Sequence, residues 1–376
     1  MTIEADLQSI IDEMEIPLFG ISTAEPSAHF STFEAWIRAG KHAGMGYLAR
    51  ADTLEKRAHP GHLMTGARSM LVFGIPHTPP PRTDQTFDQP HGRLAAFACM
   101  PDYHERIPRL LAEMAERIHA ELHIDFQWRV FTDSAPILER SYAQRTGLGW
   151  MGKNTCLIAP RIGSYFFLAE MITDLDLQPT PAFEKDFCGT CQRCVDACPT
   201  GCISADDRTI DARRCLSYLT IENKGAIPTE LRPLLGDRLF GCDVCQQVCP
   251  WNQRIPDHHA HPALGKPQSP YLDLHTLAAI TPEEFKQRFS GSPLLRAKRP
   301  GLLRNLACVL GNLRDPRSIL PLSDLLSQEN DPLVRSHAAW ALGRFEDESA
   351  QRSLAHARSV ETDPAVLTEI ETALAE

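Results

Sequence analysis

The sequence lacks several features that would assign it to a common class of protein. No apolar run is long enough to span a bilayer. Its first residues, MTIEADLQSIIDEMEI, are acidic and amphipathic, unlike a signal peptide or a twin-arginine leader. A strict Walker A loop is absent, and the GxGxxG match at residues 147–152 does not lie in a strict βαβ rhythm, so the common nucleotide-binding loops are not predicted. These absences predict a cytoplasmic chain without membrane association.

Positive charge and aromatic side chains are also scarce. The formal net charge is −10 and aromatic residues make up 7% of the chain. This balance argues against a protein that coats nucleic acid indiscriminately, although a local basic patch can still bind it. No aromatic-rich RNA-recognition signature is present. The length of 376 residues and the hydrophobic content of 43% predict a globular protein with two or three domains.

Residues 1–180 alternate helical and strand-like segments. IEADLQSIIDEM and DYHERIPRLLAEMAERIHAEL repeat apolar residues at helical spacing, whereas IPLFGIS, ARSMLVFGIPH and WRVFTD predict strands. SAPILERSYAQR is expected to begin a helix, with Ser134 as its N-cap and Pro136 in its first turn. TCLIAP and SYFFLAEMI are expected to form a β-hairpin around residues 161–163. Because no strict βαβ rhythm appears, this segment predicts an α+β or α/β domain.

Residues 270–376 predict an all-helical domain of HEAT-like repeats. LLRNLACVLGNLRD and VRSHAAWALGRFED match at a period of 32 residues, with alanine, leucine, glycine and aspartate at equivalent positions. A small residue where helices touch and a glycine at the end of each helix suit stacked helix pairs. Two unrelated amphipathic helices are the alternative interpretation.

Cysteine is the abundant residue that needs an explanation. Residues 181–260 carry nine of the twelve cysteines, five of them within CGTCQRCVDACPTGC. The spacing C-x₂-C-x₂-C-x₃-C-P is the bacterial ferredoxin run, in which the fourth cysteine ligates the other cluster of a pair. A second run, C-x₂-C-x₃-C-P, follows without its first cysteine, and Cys215 lies upstream as a candidate replacement.

Eight cysteines therefore divide into the ligand sets of two [4Fe–4S] clusters. Cluster one takes Cys188, Cys191, Cys194 and the crossing Cys249, and cluster two takes Cys198, Cys215, Cys242 and Cys245. A zinc site is the first alternative, but zinc does not require a proline after each run. A disulfide framework is the second, and it is rare in a reducing cytoplasm. Cys202 and Cys308 fall outside both sets and are predicted to be buried thiols.

Beyond the cysteines, the chain resembles epoxyqueuosine reductase over nearly its whole length. The resemblance is carried by TDSAPILER (132–140), GLGWMGKNT (147–155), SYFFLAE (164–170), YLTIENKG (218–225) and DYH (102–104). The two cysteine runs and the HEAT-like segment agree with it. The family reduces the epoxide of epoxyqueuosine, at the wobble position of certain tRNAs, to the alkene of queuosine. It uses a base-off cobalamin in the N-terminal domain, and two [4Fe–4S] clusters relay electrons to the cobalt.

This resemblance implies three domains and a set of site residues. The domains are a cobalamin-binding reductase domain (1–180), a ferredoxin-like domain with both clusters (181–260) and a HEAT-like domain (270–376) that contacts tRNA. By position in the motifs, the residues implied to contact cobalamin are Arg57, Asp133, Leu157 through its backbone, and Glu222, with Lys153 and Asn154 as neighbours.

Asp133 matches the family's proton donor. Cleavage of an epoxide C–O bond leaves an alkoxide-like oxygen that needs protons, and an aspartate at a strand end could supply one if burial over an apolar corrin face raises its pKa. The alternative for Asp133 is a helix cap. His104 could contact cofactor or substrate, or be structural, and the role of Cys99 stays open because FACMPDYH departs from the family's pattern.

A basic strip lies between residues 286 and 304, where the sequence contains no acidic residue. Within it, Arg296, Lys298, Arg299 and Arg304 are predicted to contact tRNA phosphates. A solvated face that joins two domains is the alternative.

The remaining expectations concern partners and rival functions. The predicted partners are tRNA carrying epoxyqueuosine in its anticodon loop and a low-potential electron donor such as flavodoxin or ferredoxin. A monomer without membrane contact is expected. The rival functions are a reductive dehalogenase-like enzyme and a non-catalytic ferredoxin-type electron carrier.

Overall fold

The computed structural model describes residues 2–81, 86–254 and 260–375. The strands are β1 (Leu18–Thr23), β2 (Ser69–Pro76), β3 (His91–Leu94), β4 (Trp128–Phe131), β5 (Trp150–Met151), β6 (Leu157–Ile158), β7 (Phe166–Thr173), β8 (Ile203–Ser204), β9 (Thr209–Ile210), β10 (Arg238–Phe240) and β11 (Tyr271–Asp273).

The helices complete a mixed α+β fold. They are α1 (Ile3–Glu13), α2 (Phe30–Arg38), α3 (Ala51–Ala58), α4 (Tyr103–Leu122), α5 (Glu139–Arg145), α6 (Arg193–Asp196), α7 (Leu216–Ile221), α8 (Val244–Gln247), α9 (Pro250–Gln253), α10 (Leu274–Ala278), α11 (Pro282–Arg288), α12 (Lys298–Leu313), α13 (Ile319–Gln328), α14 (Pro332–Leu342), α15 (Glu348–Val360) and α16 (Pro364–Ala375). Of the helices in the described ranges, none is both long and apolar enough to cross a membrane.

The chain folds into two compact units, each built from three separate segments. The first unit comprises Met1–Pro79, Met100–Arg213 and Asp243–Pro267, and the second comprises Pro80–Cys99, Arg214–Cys242 and Gln268–Glu376. Residues of the cysteine-rich segment 181–260 fall in both compact units.

The first unit is organised around an antiparallel sheet with the strand order β1-β2-β7-β4. The eight residues of β2 are all buried, which explains why that strand reads as a continuous apolar run rather than an alternating one. The predicted positions of α1, β1, β2, α4 and β4 are confirmed to within about two residues, the usual uncertainty of element ends.

Two local expectations for this unit were wrong. Helix α5 begins at Glu139 rather than at Ser134, because residues 133–138 form a loop that opens with Asp133 at a φ of +51°. The turn at residues 161–163 forms, with Ala159 N–H donating to the Gly163 carbonyl at 2.7 Å. The flanking strands do not form a hairpin, however, because β6 pairs with β5 and β7 pairs with β2 and β4.

The second unit contains the predicted helical repeats, α12 to α16, beside a small sheet with the order β10-β3-β11. The repeat period has a direct packing cause. A Cβ atom on Gly311 would lie 2.9 Å from the Cα of Ala341, and one on Gly343 would lie 2.7 Å from the Cβ of Ala373. The glycines therefore permit close helix contacts, and left-handed Arg314, rather than a glycine, ends α12.

A substitution within α12 tests this packing. Gly311→Ala should lower the free energy of unfolding by about 1–3 kcal/mol, because the new methyl group would overlap the α14 backbone. Gly301→Ala is the matched control in the same helix, because the nearest atom to its new Cβ is the Ala297 Cβ at 3.6 Å. The control should be neutral or stabilising by up to about 1 kcal/mol. Equal urea midpoints for the two variants would contradict the packing role of Gly311.

Candidate active site

Asp133 lies at the carboxyl end of β4, on the short loop that leads into α5. Its backbone is left-handed, and its N–H donates to Glu139 Oε1 at 2.7 Å, which closes the loop. The side chain is 66% exposed, although enough protein surrounds the carboxyl that desolvation is the largest single influence on its pKa. The loop thus presents an accessible carboxyl group within a protein environment of reduced polarity.

Two side chains at the start of α4 hold the Asp133 carboxyl. Tyr103 donates its hydroxyl to Asp133 Oδ2 at 2.8 Å, and His104 Nε2 lies 3.8 Å from the same oxygen. Asp102 caps α4 by accepting the His104 backbone N–H at 3.0 Å, and it also accepts from His104 Nδ1 at 2.8 Å. The Tyr103 ring stacks on Phe167 with a centroid distance of 4.0 Å. The DYH motif therefore positions two donors on one carboxylate.

The pKa shifts of His104 and Asp133 determine which of the two carries a proton at neutral pH. The hydrogen bond to Asp102, followed by that to Asp133, raises the pKa of His104 to about 9. Burial acts to raise the pKa of Asp133, but the hydrogen bonds from His104 and Tyr103 outweigh it, so the pKa lies below the ordinary value. In the protein without cobalamin the pKa of Asp133 is therefore lowered, and its rise on burial over an apolar corrin face stays a prediction. At neutral pH Asp133 is ionised and His104 carries the proton.

Two further carboxyl groups lie behind Asp133, and sequence reasoning missed both. Glu139 is the first residue of α5, and Glu170 lies on β7, opposite Phe131 of β4. Burial and then the charge of Asp133 raise the pKa of Glu139 to about 7. The signal that could have found Glu170 is a lone acid in the apolar segment SYFFLAEMI.

Of the other residues predicted to contact cobalamin, Arg57 lies nearest to this cluster. It donates Nη1 to the Ile137 carbonyl at 2.8 Å, and the charges of Glu139 and Asp133 both act on it. Its guanidinium also stacks over the Phe33 ring at 5.1 Å. The Nε atom of Arg57 is buried and has no acceptor among the described residues.

Lys153 and Asn154 contact the cysteine loops. Lys153 Nζ donates to the carbonyls of Gly189 and Cys191 at 2.8 and 3.0 Å. Buried Asn154 donates Nδ2 to the Cys245 carbonyl at 3.4 Å. Both therefore brace the cysteine-bearing backbone. Leu157 is a buried residue of β6, paired with Met151.

The cysteines of predicted cluster one all lie in the first unit. Burial raises the pKa of Cys194 to about 11, with further contributions from the charges of Cys188, Cys249 and Cys191. Trp150 Nε1 donates to Cys188 Sγ at 3.4 Å. Within the described residues, no three His, Cys, Asp or Glu side chains are close enough to hold a single metal ion. The ligand assignment therefore depends on spacing and on the family match reported below.

The cysteines of predicted cluster two fall in both units. Cys198 and Cys245 belong to the first unit, and Cys215 and Cys242 belong to the second. Cys202 is buried as expected, and its Sγ lies 3.5 Å from that of Cys198.

The basic strip in the second unit is largely occupied by intramolecular contacts. Arg304 is fully buried and donates to the carbonyls of Leu219, Asn223 and Gly225. Its prediction as a phosphate contact is wrong, because these carbonyls use its guanidinium inside the protein. Mostly buried Arg299 forms an ion pair with Glu329 at 2.7 Å, so it is not free for phosphate either.

Arg296 and Lys298 are the exposed members of the predicted phosphate contacts. Arg296 forms a two-point ion pair with Glu222, at 2.6 and 2.9 Å, and its side chain is still 56% exposed. Glu222, predicted to contact cobalamin, is therefore engaged by an arginine of its own unit. Lys298 is exposed at the start of α12 with a φ of +60°.

The titration of His104 tests the assigned protonation. The His104 pKa should be about 9 in the wild-type protein and should fall in both Asp133→Asn and Asp102→Asn, more strongly in the second, because Asp102 is the larger cause. NMR titration of the imidazole signal would measure it. An unchanged midpoint in Asp102→Asn would contradict the assignment.

Comparisons with known proteins identify the family of the chain. Residues 57–134 match the family described as "Epoxyqueuosine reductase QueG, DUF1730", residues 187–252 match "4Fe-4S double cluster binding domain", and residues 292–375 match "HEAT repeats". Epoxyqueuosine reductase of Pseudomonas aeruginosa is 42% identical over 344 residues, which cover 90% of this chain and 94% of that protein.

Solved structures agree over the whole chain. Epoxyqueuosine reductase crystallised with a tRNA-Tyr epoxyqueuosine-modified stem loop has a TM-score of 0.87 at 29% identity, covering 100% of this chain and 99% of that one. The Bacillus subtilis enzyme, with its catalytic aspartate loop swung out of the active site, has a TM-score of 0.86 at 29% identity with the same coverage. The chain belongs to the epoxyqueuosine reductase family.

Proposed function

We propose that this chain reduces epoxyqueuosine, at the wobble position of tRNA, to queuosine, with cobalamin and two [4Fe–4S] clusters as cofactors. The observation that carries the proposal is the accessible Asp133 carboxyl, held by Tyr103 and His104, in a chain 42% identical to an epoxyqueuosine reductase. The reaction converts an epoxide to an alkene and releases the oxygen as water. Each turnover therefore takes two electrons and two protons.

The geometry of the site suits delivery of protons to that oxygen. Asp133 is the accessible member of the group, whereas His104 holds the proton at neutral pH. As negative charge develops on the epoxide oxygen, a proton passes from His104 through Asp133 to the oxygen. Tyr103 keeps the carboxyl oriented through its 2.8 Å hydrogen bond.

The residues near Asp133 fit a cobalamin. The buried Nε of Arg57 has no acceptor among the described residues, and a corrin amide carbonyl would supply one. Asp133 and the backbone of Leu157 would contribute further contacts. When bound, cobalamin supplies a low-potential cobalt centre for two-electron reduction. Lys153 and Asn154 would instead hold the cysteine loops that they contact.

The two cysteine sets would supply electrons to this centre. Cys188, Cys191, Cys194 and Cys249 would hold one [4Fe–4S] cluster, and Cys198, Cys215, Cys242 and Cys245 the other. The match of residues 187–252 to a double-cluster domain supports this division. A low-potential flavodoxin or ferredoxin would reduce the clusters from outside.

The helical repeats would contact the tRNA, with the protein acting as a cytoplasmic monomer. Among the predicted phosphate contacts, exposed Lys298 and Arg296 are the two that fit this role. The structure of a family member with an epoxyqueuosine-modified stem loop supports tRNA as the substrate.

Turnover by the reconstituted protein tests the proposal. With epoxyqueuosine-containing tRNA and a low-potential reductant, wild type should yield a nucleoside lighter by one oxygen. Asp133→Asn should retain clusters and cobalamin but lose at least about 100-fold in rate, because it lacks the acid. Asp125→Asn, at a carboxylate that is 99% exposed, is the matched control and should keep full activity. Unchanged epoxyqueuosine with wild type fully loaded would refute the function.

The tRNA contact is tested separately by binding. Lys298→Ala should weaken tRNA binding several-fold and reduce the salt slope by about one, as expected for one lost phosphate contact. Arg38→Ala removes one charge from a side chain that is 69% exposed on α2, and it should leave both quantities unchanged. Equal affinity and salt slope for Lys298→Ala and wild type would exclude this contact.

A further inference from the structure

Glu170 is a buried acid whose presence the packing of the sheet does not explain. It lies on β7 with an exposed fraction of 0%, and among the described residues its carboxyl oxygens have one partner, the Glu139 carboxyl, which donates only when it is protonated. An unsatisfied buried polar group costs about 1–3 kcal/mol, and an unpaired buried charge costs more. A leucine or a methionine would fill this position in the strand at lower cost. A carboxyl group in this place therefore points to a use in the chemistry.

Glu139 interacts with both Asp133 and Glu170. Its Oε1 accepts the Asp133 backbone N–H at 2.7 Å, and its side chain acts on that of Glu170 through its charge and a hydrogen bond. The sheet places the two outer groups close together, since Glu170 is paired across the ladder with Phe131, two residues before Asp133. The three carboxyl groups thus form a series from the buried sheet to the exposed loop.

The surroundings keep protons on the two inner members. Burial, then the charges of Glu139 and Asp133, raise the pKa of Glu170 well above its ordinary value. Burial and Asp133 raise the pKa of Glu139 to about 7, against opposing contributions from Arg140 and Arg57. Two other titratable groups face them. The charge of Glu139 contributes to the raised pKa of Tyr103, and the charge of Glu170 contributes to the raised pKa of Tyr142.

We propose that Glu170 and Glu139 form an internal proton store that reprotonates Asp133 during turnover, an inference that rests on the proposed function. The reaction consumes two protons, and His104 supplies one. For the second, the Glu139 O–H bond breaks as an O–H bond forms on Asp133, and Glu139 recovers a proton from Glu170. No electrons move in these steps, and solvent refills the store after product release. Both glutamates act through Asp133 and do not touch the substrate.

The pH dependence of a single turnover tests the store in the fully loaded enzyme with epoxyqueuosine-containing tRNA. A carboxyl with a pKa of about 7 holds its proton below pH 7, so the wild-type rate should fall as the pH rises through 7. Glu139→Gln carries no transferable proton. It should lower the rate at pH 6 by about 10-fold or more and abolish the decline near pH 7. Glu170→Gln should lower the rate similarly.

Glu55→Gln, at a side chain that is 71% exposed on α3, is the matched control and should reproduce the wild-type profile. Circular dichroism and cofactor content would confirm that each glutamine variant is folded and loaded. Wild-type pH profiles in both Glu139→Gln and Glu170→Gln would overturn the store while leaving the proposed function intact.

Infrared spectroscopy provides a readout that does not depend on turnover. The protein without substrate should show the C=O stretch of a protonated carboxyl at a pH above the ordinary pKa of a glutamate, and the component of this band due to Glu170 should vanish in Glu170→Gln. Absence of the band from wild type would overturn the store even if the enzyme is active. A band that vanishes as expected, in a protein that leaves epoxyqueuosine unchanged, would refute the function and with it the role of the store in that reaction.

Discussion

Repulsion among carboxylates is the constraint on which the site depends. Asp133, Glu139 and Glu170 are gathered in one region of the first unit, where desolvation strengthens every charge–charge interaction. All three cannot ionise together at neutral pH, so the group retains protons that isolated carboxyls would lose. The donors at the start of α4 decide where the negative charge resides, since Tyr103 and His104 both face Asp133.

The backbone of the Asp133 loop also involves one of these carboxyl groups. A left-handed aspartate is uncommon, and its N–H is directed toward the Glu139 carboxyl by that conformation. This is also why the sequence misplaced the start of α5. Ser134 and Pro136 have the chemistry of a helix start, but the side chain of Glu139, five residues after Ser134, accepts the Asp133 N–H and closes residues 133–138 into a loop. Local propensity could not include that contact.

Periodicity and spacing were sufficient for most of the fold and for part of the site. The long apolar patterns placed α4 and the main strands of the first sheet, and the 32-residue period predicted the helical repeats that the family match confirms. Asp133 and its neighbours Tyr103 and His104 lie in quoted motifs, and the structure brings them together. Glu170 was missed because β7 is buried on both faces, so alternation gives no clue to a functional side chain.

Charge counts were a weaker guide, because they do not show burial. Arg304 is flanked by leucines and alanine in an uninterrupted buried stretch from Gly301 to Gly311. Its guanidinium donates hydrogen bonds from α12 to the carbonyls that follow α7. Composition alone cannot distinguish an arginine with this structural role from one that binds phosphate. The apolar flanks were the available signal, since a phosphate contact on a helix needs an exposed face.

The interleaving of the two units determines how the chain can be synthesised and folded. Strand β3 belongs to the second unit, but its partners β10 and β11 lie far downstream, after most of the first unit has been translated. Both edges of β3 therefore lack backbone partners until β10 and β11 have been translated. Unpaired strand edges of this kind can pair incorrectly. The first unit is also incomplete until Asp243–Pro267 has emerged. Neither unit can be completed by the N-terminal half of the chain, although that half contains all four strands of the main sheet of the first unit.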